Sequence, residues 1–261
     1  MSPVHPGTFS IRWTIIGAVA GVGAWWFYVW LMIGSRFETE AAPYIAHAAA
    51  AATIGSLMMR FQPLRPTREP VAAAVLAIGL MTLVFIVIPH WFTWVADRSP
   101  RPWLVVPAIA ALSAASAFGG GLASRRTQVT TPHLVPILLL SAFLTLGLLT
   151  VLSNVLLGFT GSFDFVALWY VVSPLSVLVA GYLTQLVTPI YRPWACGAGW
   201  FFAFGMVMKQ RWSAAPGVEL IDAPLLAVTT IALLLGAAGA RAARGRIDTT
   251  GITAVPVARI D

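Results

Sequence analysis

From Trp13 to Gly34 the chain carries no charged residue, and uncharged or nearly uncharged runs of similar length recur as far as residue 240. A helix rises 1.5 Å per residue, so roughly 20 apolar residues cross the ~30 Å hydrocarbon core of a bilayer. Repeated end to end, such runs leave too little polar surface to coat a globule in water. The composition agrees: 59% of the 261 residues are hydrophobic and 10% are charged, against about 25% charged in a soluble domain. The expectation is an all-α integral membrane protein. The first run is too long for the apolar segment of a signal peptide and ends at no clear small-x-small cleavage site, so it is read as a membrane helix that stays.

Eight spans are expected, near residues 13–33, 41–59, 71–94, 103–123, 134–157, 165–187, 190–208 and 221–240. They make one polytopic domain over residues 1–240, followed by a short basic tail at 241–261. The seventh carries Pro193, Gly197 and Gly199; if it does not cross, the C-terminus changes sides. With both termini cytoplasmic, the inner positions hold Arg12, Arg60, Arg65, Arg68, Arg125, Arg126, Arg192, Arg241, Arg244, Arg246 and Arg259. The outer loops keep only Arg36, Arg98, Arg101, Lys209 and Arg211, so positive charge lies inside. The net charge of +7 is therefore a topology signal, not a nucleic-acid one. Trp30, Trp91, Trp94, Trp103, Trp169 and Trp212 fall near the outer boundary, as an aromatic belt would. The expected setting is a bacterial inner membrane, with lipid and other membrane proteins, or further copies of the chain, as partners.

Glycine-bearing ends recur along the chain. Gly55-Ser-Leu57-Met-Met-Arg60 and Gly120-Gly-Leu122-Ala-Ser-Arg125 share the form G-x-L-x-x-R; Gly181-Tyr-Leu183 begins a third copy and Gly236 to Arg241 is a looser fourth. The period is about two helices, which four copies of one helical hairpin would give. An inward-running helix that merely ends on a small residue, an apolar one and a snorkelling arginine gives the same pattern. The form resembles the cytoplasmic signature of major-facilitator transporters over about six residues. Met59 and Ser124 stand where that signature has an acidic residue, and those chains have more helices, so the resemblance assigns no family. Small residues let helices approach closely in lipid. The even-numbered spans ("AHAAAAATIGS", "AIAALSAASAFGGG") are therefore expected inside the bundle, and the bulkier odd-numbered ones against lipid.

The stretch Phe118 to Pro136 is a turnaround and not a phosphate loop, because it has no lysine and follows no strand. Cys196 is alone, so no intrachain disulfide forms. No acidic or basic residue falls near the middle of a span, which weakens ion-coupled transport. Asn154, Ser113, Ser116, Ser173, Ser176 and Thr184 are the intramembrane polar groups. Lys209 ends the seventh span, where a retinal Schiff base would not sit. Ser56 and His47 lie toward opposite faces, against a serine–histidine pair.

The remaining candidates are His47 and His90. Each lies ~9 Å inside the outer boundary at 1.5 Å per residue, on the second and third spans, which form one hairpin. Two imidazoles at equal depth would hold haem b, copper or zinc, with Glu38, Glu40 or Asp97 nearby; interfacial anchoring and helix–helix hydrogen bonding explain the same residues without a ligand. The leading expectation is a non-catalytic subunit or accessory factor of a membrane assembly, with no cofactor and no nucleic acid. The alternatives are a permease for a small neutral or weakly polar solute, and a haem or metal protein with its site near the outer face.

Overall fold

The structure, a computed structural model, describes residues 9–34, 41–61, 66–85, 102–126, 134–160, 171–187, 205 and 219–249. Among the described residues there are seven helices and no strand: α1 (Ile11–Gly34), α2 (Ala42–Phe61), α3 (Arg68–Phe85), α4 (Pro102–Arg126), α5 (Leu134–Thr160), α6 (Ser173–Val187) and α7 (Glu219–Thr249). Four of them are long and apolar enough to cross a membrane, over Ile11–Met32, Leu104–Ser124, Val135–Leu156 and Pro224–Ala243. The protein is thus an all-helical bundle of membrane character. The seventh expected span lies outside the described residues apart from Gly205, as do the end of the third and the start of the sixth.

Helix α1 begins where Ser10 turns the chain. Its hydroxyl accepts a hydrogen bond from Trp13 N at 3.3 Å, satisfying one of the orphan donors of a helix start. The backbone N–H of Ser10 donates to Glu69 Oε1 at 2.6 Å. Glu69 sits in the first turn of α3 and is fully buried, so one carboxylate faces the positive N-terminal ends of two helices. The contact aligns those ends, and the alignment continues along the axes: Gly17 faces Ala73 and Gly21 faces Ala77. Helix α2 runs the opposite way, with Met58 near Gly17 and Ile54 near Gly21. Gly121, late in α4, meets Met59 at the end of α2 and Pro70 at the start of α3. The first four helices therefore alternate in direction.

Helix α1 packs against α2, α3 and α5, α2 against α4, and α6 against α5 and α7. The main core gathers Trp13, Trp25, Ile54, Met58, Met81, Ile109, Phe143 and Leu144. The expectation for odd and even spans holds for α2, which buries Ala46, His47, Ala50, Ile54 and Met58, but not for four other helices. In their membrane-length windows 61% of α1 and 56% of α5 is buried, against 28% of α4 and 39% of α7. Lipid is as apolar as leucine, so no hydrophobic drive sorts bulk from small residues. A bulky helix contacted on several sides fills the centre by dispersion. A small-residue helix uses one smooth face for a close crossing and leaves the other to lipid.

The crossings are made by glycines in reciprocal pairs. A Cβ on Gly55 would collide with the carbonyl oxygen of Ala117, and one on Gly120 with that of Ala52. Gly181 and Gly236 repeat the arrangement between α6 and α7, against the carbonyls of Leu233 and Leu178. In both pairs each glycine rests on the carbonyl three residues before the other's glycine. The four recurring glycine segments thus pair two by two, α2 with α4 and α6 with α7. A third pair, Gly23 and Gly147, locks α1 to α5 against the carbonyls of Phe143 and Val19.

Candidate functional site

An apolar bundle must satisfy its hydroxyls internally. Thr53, Thr82, Thr145, Thr150, Ser176, Thr229 and Thr230 each donate to the backbone carbonyl four residues earlier in their own helix. Thr53 also accepts from Tyr28 Oη at 2.8 Å, since its own proton is committed to Ala49 O; this bond braces α1 against α2. Asn154 Nδ2 donates to Thr150 O at 2.7 Å in the same manner. Ser113 on α4 departs from the pattern. It is 2% exposed and its hydroxyl makes no hydrogen bond.

His47 lies on α2 at the same level, also 2% exposed. Its Nδ1 is 2.6 Å from the carbonyl oxygen of Pro43. A carbonyl only accepts, so Nδ1 carries the proton and the neutral ring presents its Nε2 lone pair on the opposite side. The Trp25 ring of α1 lies 5.5 Å from the imidazole at 45°. Between α1, α2, α3 and α4 is a cavity lined by His47, Ser113, Trp25, Met81, Gly21 and Ala77, among others. The space open to the centre of a water molecule is ≈ 20 Å³. Glycine and alanine at these positions create the room; an imidazole, a hydroxyl and the indole of Trp25 are the polar side chains of its described lining.

The structure places His47 inside the bundle, whereas His90 lies outside the described residues, as do Glu38, Glu40 and Asp97. Among the described residues no group of three or more His, Cys, Asp or Glu side chains is placed to hold a metal ion. Ser113 is not hydrogen-bonded to His47, so the two do not form a nucleophile–base pair as arranged, and among the described residues no carboxylate lines the cavity.

Sequence reasoning named Ser113 only as one of several polar groups, and it missed Trp25, Met81 and Glu69. A signal for the first was present. Ser113 stands two turns before Gly120, and His47 two turns before Gly55. Once the glycines are known to pair, both side chains come to one level. Glu69 carries no such signal, because an acid in the first turn of a helix is ordinarily a solvated one.

Comparison with protein-family models, with curated protein sequences and with solved structures returns no match to this chain.

Proposed function

We propose that the chain is a non-catalytic polytopic membrane protein, a subunit or accessory factor that packs against other membrane proteins. The observation that carries this reading is the tight packing of the described helices: three reciprocal glycine–carbonyl crossings, between α2 and α4, α6 and α7, and α1 and α5, with only ≈ 20 Å³ open to water centres in the cavity between α1, α2, α3 and α4. Such crossings suit a rigid framework better than a solute pathway. The faces turned away from the crossings are apolar, with Leu104, Leu112 and Phe118 exposed on α4 and Val228, Ile231 and Leu235 exposed on α7. These faces meet lipid or a protein neighbour. In this reading the chain crosses a bacterial inner membrane eight times with both termini cytoplasmic, supported by the inner arginines and by the alternation of the first four helices.

Extraction of the tagged full-length chain in a mild detergent, followed by mass measurement of the intact particle, tests the reading. A stoichiometric membrane partner is expected. A chain that purifies alone and conducts a solute into liposomes would refute it and favour the permease. The permease remains the second reading because His47 and Ser113 place a polar cavity inside the membrane-spanning part of the bundle.

A further inference from the structure

We infer that the chain is built from two copies of one four-helix unit, the first over α1 to α4 and the second from α5 to α7, and that Val19 and Gly23 of α1 form the surface by which one unit binds the other. The partner of that surface is the second copy's own α5, at Phe143 and Gly147. The inference does not rest on the subunit reading.

Gly181 and Leu178 of α6 make with α7 the contacts that Gly55 and Ala52 of α2 make with α4. The step from 55 to 181, and from 52 to 178, is 126 residues. Carried along the helix, the same step puts every buried residue of α6, from Ser173 to Gln185, on a buried residue of α2. Between α4 and α7 the step is 116 residues; it carries buried Ser113 and Ala117 to buried Thr229 and Leu233, and exposed Phe118 to exposed Leu234. Matching burial follows in part from a shared crossing, since a helix has one period. The step at the third crossing does not follow from the other two. Val19 to Phe143 and Gly23 to Gly147 are each 124 residues, on helices that take no part in the α2–α4 contact. Pro70, near the start of α3, and Pro193, in the sequence between α6 and α7, are 123 residues apart.

A period of two helices would make α3 the counterpart of α1. The pairing of Gly17 with Ala73 and of Gly21 with Ala77 brings Gly79 level with Gly23. A Cβ on Gly23 would strike the backbone of α5, whereas one on Gly79 would meet nothing within 4 Å. The repeat is therefore four helices long. At the junction Gly23 rests on the carbonyl of Phe143 and Gly147 on that of Val19, so each copy offers the same two positions to the other. Such reciprocity is the mark of an isologous contact, in which one patch meets its own copy. Glycine at its centre lets the two backbones close in lipid. The copies have diverged inside. Gly21, Ala50 and Ser113 line the cavity of the first; Thr145, Ser176 and Thr229, all buried, stand at their counterparts in the second.

The step from Pro70 to Pro193 makes Cys196 the counterpart of Ala73, and Ser141 is the counterpart of Gly17, which Ala73 faces. Cys196 is the only cysteine of the chain, so one substitution supplies its test. Full-length Ser141→Cys is oxidised in membranes with copper phenanthroline, denatured in detergent and labelled with N-ethylmaleimide, and the intact mass counts the thiols left free. With two copies of one unit the main species carries no label. Leu139→Cys, close in depth but on the other side of α5, keeps both thiols and carries two labels. Two labels on Ser141→Cys, or an equal loss of label in Leu139→Cys, overturns the repeat. If Ser141→Cys does not assemble, Thr145→Cys with Trp200→Cys in a Cys196→Ser background takes its place, at the counterparts of Gly21 and Ala77. Two labels on that protein overturn the repeat in the same way, and none supports it.

Discussion

Gly119 and Gly120 are neighbours on α4, and the same substitution at each is expected to change stability in opposite directions. Replacing glycine by alanine inside a helix removes backbone freedom from the unfolded chain and stabilises by roughly 0.5–1 kcal/mol at either position. At Gly119 nothing lies within 4 Å of the new Cβ, so the gain is realised in full. At Gly120 the Cβ would collide with the carbonyl oxygen of Ala52 and sit 2.8 Å from its carbonyl carbon, where ordinary contact begins at 3.4 Å. The obstacle is backbone, so α2 and α4 must part by at least the difference, and further to clear the oxygen. Overpacking of this kind costs about 1–3 kcal/mol. The propensity gain is common to both variants and cancels between them, leaving a gap of about 1–3 kcal/mol that reports the crossing alone. At roughly 2–4 °C per kcal/mol for a chain of this size, the apparent melting temperatures should differ by about 2–12 °C, with Gly119→Ala the higher. Thermal scans read by fluorescence size-exclusion chromatography in one detergent measure this directly. Gly55→Ala should behave like Gly120→Ala, and the double variant should lose less than the sum, because helices parted once already have room for the second methyl. The bulkier Gly55→Leu and Gly120→Leu should lower the melting temperature further. Equal melting of Gly119→Ala and Gly120→Ala would mean that α2 and α4 do not cross at these glycines, and the register that brings His47 level with Ser113 would fall with it.

Tyr28→Phe removes the hydroxyl that bonds Thr53 across α1 and α2 and should cost about 0.5–1.5 kcal/mol, read as a lower melting temperature; Tyr28→Trp would not be an informative control, since it also changes volume. Glu69→Ala removes the carboxylate that receives Ser10 N at 2.6 Å and should cost about 1.5–3 kcal/mol, as hydrogen bonds to charged groups do. Glu69→Gln should recover part of that loss, because an amide oxygen accepts the bond without the charge that favours a helix N-terminus; full recovery would show the charge to be irrelevant. A C-terminal alkaline phosphatase fusion should be inactive in an intact bacterial host, as expected for a cytoplasmic tail after eight spans. Activity would show that the chain crosses an odd number of times, with the proline-bearing segment at Ile190–Met208 the first candidate for failing to span.

The helical class and four of the eight expected spans were legible because they depend only on length and apolar character, and a bilayer enforces both. The glycine segments were legible as a recurrence but not as partners. Nothing in a single helix states that Gly55 rests on Ala117 and Gly120 on Ala52, because that relation belongs to two backbones and appears only at their crossing. For the same reason His47 was paired in sequence with His90, its neighbour along the hairpin, although the group that shares its cavity, Ser113, comes from a helix the chain reaches later. Glu69 was passed over because its burial depends on where the N-terminus of α1 arrives. Where the inside–outside assignment failed, at α1, α4, α5 and α7, it failed on a physical premise. It treated small residues as a mark of the interior, which holds for a face and not for a whole helix. Helix α4 places Gly120, Gly121 and Ala117 against its neighbours and Leu104, Leu112 and Phe118 outward, and one helix can do both because its 3.6-residue period separates the two sets. Between Ile16 and Trp30, α1 has no exposed residue, since α2, α3 and α5 each occupy part of the circumference. The number of neighbours around a helix decides its burial in a membrane, and that number is set by tertiary contacts that composition does not encode.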